Sequence, residues 1–431
     1  MENNVTIDRG ILDRKTKIKR FFVKNMVTIM FIILSYIGFH YSGLSVPFFM
    51  SELITRFARN GFLVLALIIP VMAGMGLNFA IVLGAMAGQM GIIMVVHWGI
   101  TGVPGVLLCV LLSTPLAIIF GFLTGKLLNK TKGQEMITSL ILGFFANGIY
   151  QFIFLILVGS VIPMVNEEMI LSSGVGLRVT IALNDTIRYA LDDVWRFSFI
   201  HTVLIATIIF LIIYAVKLYK MKKGETADAP TDKSKTYFNL GVVVALLAVT
   251  LGVMFSESRI NDLQVPMITF AIIGVLCLFT YFLSKTKLGQ DLRTVGQDRH
   301  IAKVSGINSD GIRVLAIVLS TLLAAYGQII YLQNLGTLST YGSHEQVGMF
   351  AIAALLIGGA SVTKATIGQA VLGTILFHTL FIVSPLAGRN LFGDAQLGEY
   401  FRAFVAYGVI GLSLAMHAWK KYLQSKDELG M

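Results

Sequence analysis

Long apolar runs separated by short polar stretches fill almost the whole chain. In the first half they are Met26–Tyr41, Phe62–Val82, Leu83–Trp98, Val103–Gly125, Met136–Gly159 and Phe197–Val216. In the second they are Phe238–Phe255, Val265–Leu283, Val314–Leu335, Val347–Ile357, Thr366–Pro385 and Tyr400–Trp419. A helix needs roughly 20 mostly apolar residues to cross the ~30 Å hydrocarbon layer of a bilayer. The pattern therefore predicts an all-α, polytopic membrane helix bundle of about 10–12 hydrophobic segments, the shorter ones being halves of broken helices. Ahead of the second run, Phe49, Leu53 and Phe57 recur every four residues while Glu52, Arg56 and Arg59 take other faces. That spacing predicts a short helix over Phe48–Asn60 lying in the outer interface.

The polar stretch Lys220–Thr236 carries Gly224 and Pro230 and divides the apolar runs evenly. It predicts an N-terminal membrane half (1–219), a cytoplasmic linker (220–237) and a C-terminal membrane half (238–431) containing a cytoplasmic segment at 285–313. Ser160–Arg196, with Glu167, Glu168, Asp185, Asp192 and Asp193, is the longest external piece. It reads either as a docking surface for an external partner or as a solvated loop.

Composition sharpens this picture. The chain is 56% hydrophobic and only 13% charged, against roughly a quarter charged in a globular domain, and its mean hydropathy is +0.79. A soluble enzyme is excluded. The net charge of +11 calls for no nucleic-acid partner, because the positive-inside rule accounts for it. With the N-terminus inside, pieces 1–24, 126–135, 217–237, 285–313 and 420–431 hold most of the 34 Lys and Arg, and both termini are cytoplasmic. The basic stretch Arg14–Arg20 precedes an apolar run with no small-residue cleavage site, which predicts a retained first helix. Cys109 and Cys277 both fall in apolar segments and read as packing residues.

Several chemistries are missing. No GxxxxGK[ST] phosphate loop occurs, and His344-Glu345 lacks the second histidine of a zincin site. No catalytic residues, metal or cofactor are expected. His97, His201 and His378 sit in or near apolar segments and read chiefly as packing residues, although an intramembrane histidine is also a candidate for a solute path. Glycine-rich breaks are expected at Ala73–Asn78 leading into Gly84–Gly91, and again at Gly358–Gln369. Broken helices at membrane depth are tolerated where protein or a water cavity covers them, and close helix packing is the other use of such glycines. Residues 290–305, QDLRTVGQDRHIAKVS, predict short helical turns with Leu292, Val295, Ile301 and Val304 as apolar contacts and Arg293, Arg299 and Lys303 solvated. Gly306 follows, where a helix C-terminus favours glycine.

These residues resemble the permease subunits of ATP-binding-cassette importers for branched-chain amino acids, ribose-type sugars and nucleosides. The resemblance rests on Thr286-Lys287-Leu288-Gly289, Leu292-Arg293-Thr294-Val295-Gly296, Ala302 and Ser305-Gly306-Ile307-Asn308, at the spacing of that family's coupling loop. It continues through Ile357–Ser361 and Ile367–Gly373, and Gly88-Gln89 with Lys132–Thr138 is similar to the nucleoside and simple-sugar branch. Lys364 stands where the sugar branch usually has glycine, and Asn78 near where it often has an acid.

The resemblance implies a permease subunit of a binding-protein-dependent importer for a simple sugar or nucleoside, in a bacterial cytoplasmic (inner) membrane. Its partners would be two cytoplasmic ATP-binding subunits, a second permease subunit, identical or homologous, and an external solute-binding protein, with membrane lipids around it. It further implies coupling to the ATPases through Gly289, Arg293, Gly296, Ala302 and Gly306. A solute path would be lined by Asn78, Gln89, Asn147, Gln151, Gln328, Ser361, Thr363 and Gln369, residue types that also serve as hydrogen-bond partners between helices. An ion-coupled secondary transporter with two six-helix halves is the alternative, against which the turn Val82–Ala87 has none of the charged residues such a family places there. A membrane-embedded enzyme or lipid translocase would need a catalytic cluster or lipid-facing groove that the sequence does not show.

Overall fold

The computed structural model describes residues 25–131, 133–164, 166–222 and 230–404, with positions 407, 408, 410, 411 and 415. The basic stretch at Arg14–Arg20, the middle of the linker (223–229) and half of Tyr400–Trp419 lie outside the described residues. Helices dominate: α1 (Met26–Ser42), α2 (Val46–Ala66) continued by α3 (Ile68–Met72), α4 (Ile81–His97), α5 (Gly102–Lys130) and α6 (Glu135–Phe152), which runs on through a π turn to Leu157. After the strands β1 (Thr180–Ala182) and β2 (Arg196–Ser198) come α7 (Phe199–Lys222) and α8 (Pro230–Met254), then β3 (Gln264–Pro266) and α9 (Met267–Leu283). Next follow α10 (Lys287–Gln297), α11 (Arg299–Val304), α12 (Ser309–Leu335), β4 (Thr337–Ser339), α13 (Ser343–Ile357) and α14 (Ile367–Phe392). Among the described residues, seven helices are long and apolar enough to cross a membrane, or eight if α9 and α10, bent by 74°, count as one span. The polytopic all-α bundle is thus the observed architecture.

The centre is built by α2, α4 and α12, flanked by α5 and α14. Small residues make this possible. A β-carbon on Gly84 would lie 2.3 Å from the Thr321 carbonyl oxygen, and one on Gly88 2.5 Å from that of Ala325, so the α4 and α12 backbones touch directly. The Gly84–Gly91 stretch is therefore packing inside an unbroken helix, the second of the two uses expected for these glycines, and not part of a break. The actual interruptions are residues 73–80, between α3 and α4, and residues 358–366, between α13 and α14. The two breaks meet: a β-carbon on Gly76 would sit 3.2 Å from Val362 Cγ1. By contrast, α6, α7 and α8 turn rows of large apolar side chains outward, Ile137, Ile141 and Phe144 among them.

Two other expectations are corrected. Phe48–Asn60 is no separate interfacial helix. Pro47 starts α2 at a position where proline costs no hydrogen bond, and the helix runs unbroken past Arg56 and Arg59. Arg59 is accommodated because its Nε donates to Asn334 Oδ1 at 2.8 Å. The linker is also shorter than expected, since α8 begins at Pro230.

Residues 160–196, expected as an external piece, fold among the described residues as an ordered cap and not as a solvated loop. Met169, Leu177, Ile181, Leu183 and Ile187 are buried. β1 pairs antiparallel with β4 in the register Thr180↔Ser339, Ile181↔Leu338, Ala182↔Thr337, and β2 pairs with β3. Asp192, expected among the solvated acids, is 2% exposed and accepts from Thr269 Oγ1 and Asn334 Nδ2, both at 2.5 Å. Replacing Asp192 by alanine strands these donors, and leaving buried groups unpaired costs about 1–3 kcal/mol. Faster proteolysis within 158–196, with the rest of the chain intact, is the expected readout.

Candidate functional site

Two polar constellations stand out in this apolar bundle. The first lies where α4, α6, α12 and α13 converge. His344 is fully buried in the first turn of α13. Its Nδ1 lies 2.6 Å from Gln89 Oε1 on α4 and its Nε2 2.8 Å from Asn147 Oδ1 on α6. The other ends of both amides are also engaged: Gln89 Nε2 donates to the Ser339 carbonyl at 3.2 Å, and Asn147 Nδ2 donates to Glu345 Oε1. Gln328 Nε2 on α12 donates to the Ser343 carbonyl at 3.3 Å, while its buried Oε1 has no partner among the described residues. Tyr150 packs its ring on His344 at 4.8 Å between centroids.

This nest is deep. Asn147 is about 18 Å beyond Glu135 along α6 at 1.5 Å per residue, near the middle of a ~30 Å hydrocarbon layer. α13, at 15 residues, is about 22 Å long and too short to cross. It is a half-helix whose N-terminal turn opens at that depth, the arrangement in which membrane transporters commonly hold polar groups at the midplane.

The second constellation is at the opposite end of α6. Glu135 Oε1 accepts from Arg313 Nη2 of α12 at 2.6 Å and from Arg299 Nη2 of α11 at 2.5 Å. Arg313 is fully buried, a position an arginine holds only when its charge is paired. Ser139, one turn along α6, accepts the Phe79 N–H of the first break at 3.2 Å. Gly296 of α10 presses on that same break, where its β-carbon would lie 2.2 Å from the Met72 carbonyl oxygen and 2.9 Å from the Gly74 nitrogen. The segment 285–313 is thus held to the break by backbone contact and to the start of α6 by an ion pair.

The structure brings together Gln89, Asn147 and Gln328 of the residues expected along a solute path. Gln151 follows one turn along α6. Asn78 lies in the first break, where its Oδ1 accepts the Ala80 N–H at 3.1 Å. Ser361 and Thr363 belong to the second break, where Ser361 Oγ accepts the Lys364 N–H at 3.1 Å, and Gln369, in the first turn of α14, donates from Nε2 to the Gly359 carbonyl of the break at 2.6 Å.

Within 285–313, Gly289 turns tightly against Leu283, Arg293 is exposed, Ala302 is buried, and Gly306 adopts φ +76° beyond α11. Leu292 and Val295 are buried as expected. Ile301 and Val304 are not, at 58% and 77% exposed, and Arg299, expected to be solvated, is engaged by Glu135. The six-residue α11, capped by Asp298 Oδ1 accepting the His300 and Ile301 N–H groups, thus shows an apolar ridge to the outside. Sequence reasoning missed His344, Glu345 and the Glu135 clasp. The available signal was ionisable residues beside long apolar runs, which lipid tolerates only where they are paired or used.

Residues 194–414 match a family model described as branched-chain amino acid transport system, permease component. The chain is 28% identical over 166 residues to a high-affinity branched-chain amino acid transport permease of Pseudomonas aeruginosa, covering 37% of this chain and 49% of that one. It is 28% identical over 139 residues to a xylose transport permease of Haemophilus influenzae, covering 32% and 36%. It is 27% identical over 158 residues to a nucleoside permease of Lactococcus lactis, covering 37% and 48%. The aligned part spans about half the length of these relatives or less. No solved structure matches.

Proposed function

The chain belongs to the family of branched-chain amino acid transport permease components, and on that premise we propose that it is a transmembrane subunit of an ATP-driven, binding-protein-dependent importer for a simple sugar or nucleoside. The observation that carries this reading is segment 285–313, which bears an exposed apolar ridge on one side while Gly296 rests on a helix break on the other. An ATP-binding subunit seated on Ile301 and Val304 would push directly on residues 72–80. The Arg299–Glu135 contact would carry the same movement into α6, whose other pin is Asn147 in the polar nest. Arg293, His300 and Lys303 surround the ridge as its polar rim.

Two ATP-binding subunits, a second permease subunit, identical or homologous, and an external solute-binding protein complete the assembly. The ordered cap at 158–196 is the surface offered to the binding protein. In this arrangement the chain is a multi-pass protein of a bacterial cytoplasmic membrane with both termini inside, and residues 1–219 and 238–431 are its two halves. Uncharged amides in the nest, together with xylose and nucleoside permeases among the relatives, favour a sugar or nucleoside.

Copurification from native membranes tests the assembly. The tagged chain is expected to bring down an ATPase, and the double variant Ile301→Asp, Val304→Asp to lose it while keeping its own elution profile. Recovery of the chain alone, with solute uptake into liposomes that contain no ATP, would overturn the importer reading, and dependence of that uptake on an ion gradient would establish an ion-coupled transporter.

A further inference from the structure

The Glu345 carboxylate is the odd feature of the nest. It is exposed on the bundle surface at a depth where a bare carboxylate is costly, and among the described residues it forms no ion pair. Its partner is a neutral amide, Asn147 Nδ2. The Asn147 and Gln89 amide oxygens lie against the two ring nitrogens of His344, of which a neutral imidazole donates from one. Three helices therefore bear on one carboxylate that has no ion-pair partner among the described residues. This arrangement fits a carboxylate kept for a ligand better than one kept for stability.

The chemistry of the surroundings narrows the ligand. Glu345 lies in the first turn of α13, so its charge offsets the positive end of that helix and removes the attraction for anions that a half-helix N-terminus otherwise offers. The buried Gln328 Oε1 is a further unsatisfied acceptor. Acceptors thus dominate the nest, and a solute seated there must bring donors. A phosphorylated sugar or nucleotide would meet like charge, and the carboxylate of an amino acid would find no cation.

We propose that Glu345 is a specificity-determining residue at a mid-membrane station, where it accepts hydroxyl groups of an uncharged polyhydroxylated solute such as the ribose of a nucleoside, with Asn147 and His344 as its positioning residues. This rests on the importer reading above. Neutral Glu345→Gln keeps the size of the side chain and loses the charged acceptor.

The test uses the copurified complex with its binding protein in liposomes, offered labelled uridine, D-ribose, D-xylose and L-leucine. ATP-dependent uptake of at least one of the three hydroxyl-bearing solutes is expected. Glu345→Gln should lower that uptake about 10- to 100-fold, the worth of a hydrogen bond to a charged group, and Glu345→Asp should recover part of it. ATP hydrolysis stimulated by the loaded binding protein should persist in Glu345→Gln, which separates a lost station from a misfolded complex. Unchanged uptake by Glu345→Gln overturns the station, as does uptake of leucine alone or of none of the four, and each leaves the importer reading standing if hydrolysis is stimulated. Uptake that needs no ATP removes the importer reading and the station with it.

Discussion

Glu135→Ala is expected to destabilise the folded chain by about 3–5 kcal/mol, the cost of leaving a buried charge without its partner. Arg313 is fully buried and its second terminal nitrogen, Nη1, already lacks a partner among the described residues, so removing the carboxylate leaves the guanidinium only the weak Met75 Sδ acceptor, which Nε meets at 2.6 Å. Arg299→Ala removes the other leg of the same clasp. That side chain is 36% exposed, and a pair so open to solvent is worth about 1 kcal/mol or less. Unfolding in mixed detergent micelles, followed by helical circular dichroism, should rank the variants in this order. A double change, Glu135→Leu with Arg313→Met, should recover much of the loss because it removes both charges together. Equal effects for Glu135→Ala and Arg299→Ala would mean that Arg313 does not depend on Glu135.

The second large effect is expected at Gly296. A valine there would drive its β-carbon to 2.2 Å from the Met72 carbonyl oxygen, so α10 must lift off the break. Val295 and Leu292, buried next to it, hold the rest of the helix, and the ridge on α11 stays available. Gly296→Val should therefore keep its ATPase on copurification and keep ATP hydrolysis, while uptake into liposomes falls at least tenfold. Hydrolysis and uptake lost together would place Gly296 in the docking surface instead.

Much of the architecture was legible because lipid imposes a simple rule on length and polarity. The apolar runs predicted nearly every helix, and the spacing within residues 290–305 predicts short helical turns where α10 and α11 stand. What failed has a common cause: distant partners. Arg56 and Arg59 made the start of α2 look interfacial, since Arg56 finds Glu52 one turn back but nothing nearby in sequence shows that Asn334 will accept from Arg59. Ile301 and Val304 have the periodicity of core contacts, and periodicity cannot distinguish an inward face from one left for a partner. Gly84–Gly91 read as a break because glycine serves both interruption and close packing, and only the α12 backbone opposite shows which. His344-Glu345 was weighed as an incomplete metal motif, although its partners, Gln89 and Asn147, were themselves singled out as polar residues in the bundle.

The three-residue ladder between β1 and β4 has one more implication. Ser339 is paired with Thr180 of the cap on one side and receives Gln89 of the nest on the other, and Leu338 between the two anchors is fully buried. A slip of one residue would turn Leu338 outward and reverse every side chain of the strand, so the ladder cannot slide by small steps. Cap and nest thus share one residue, and a displacement of the cap is expected to carry Ser339, and with it the hydrogen bond to Gln89, rather than to slide past them.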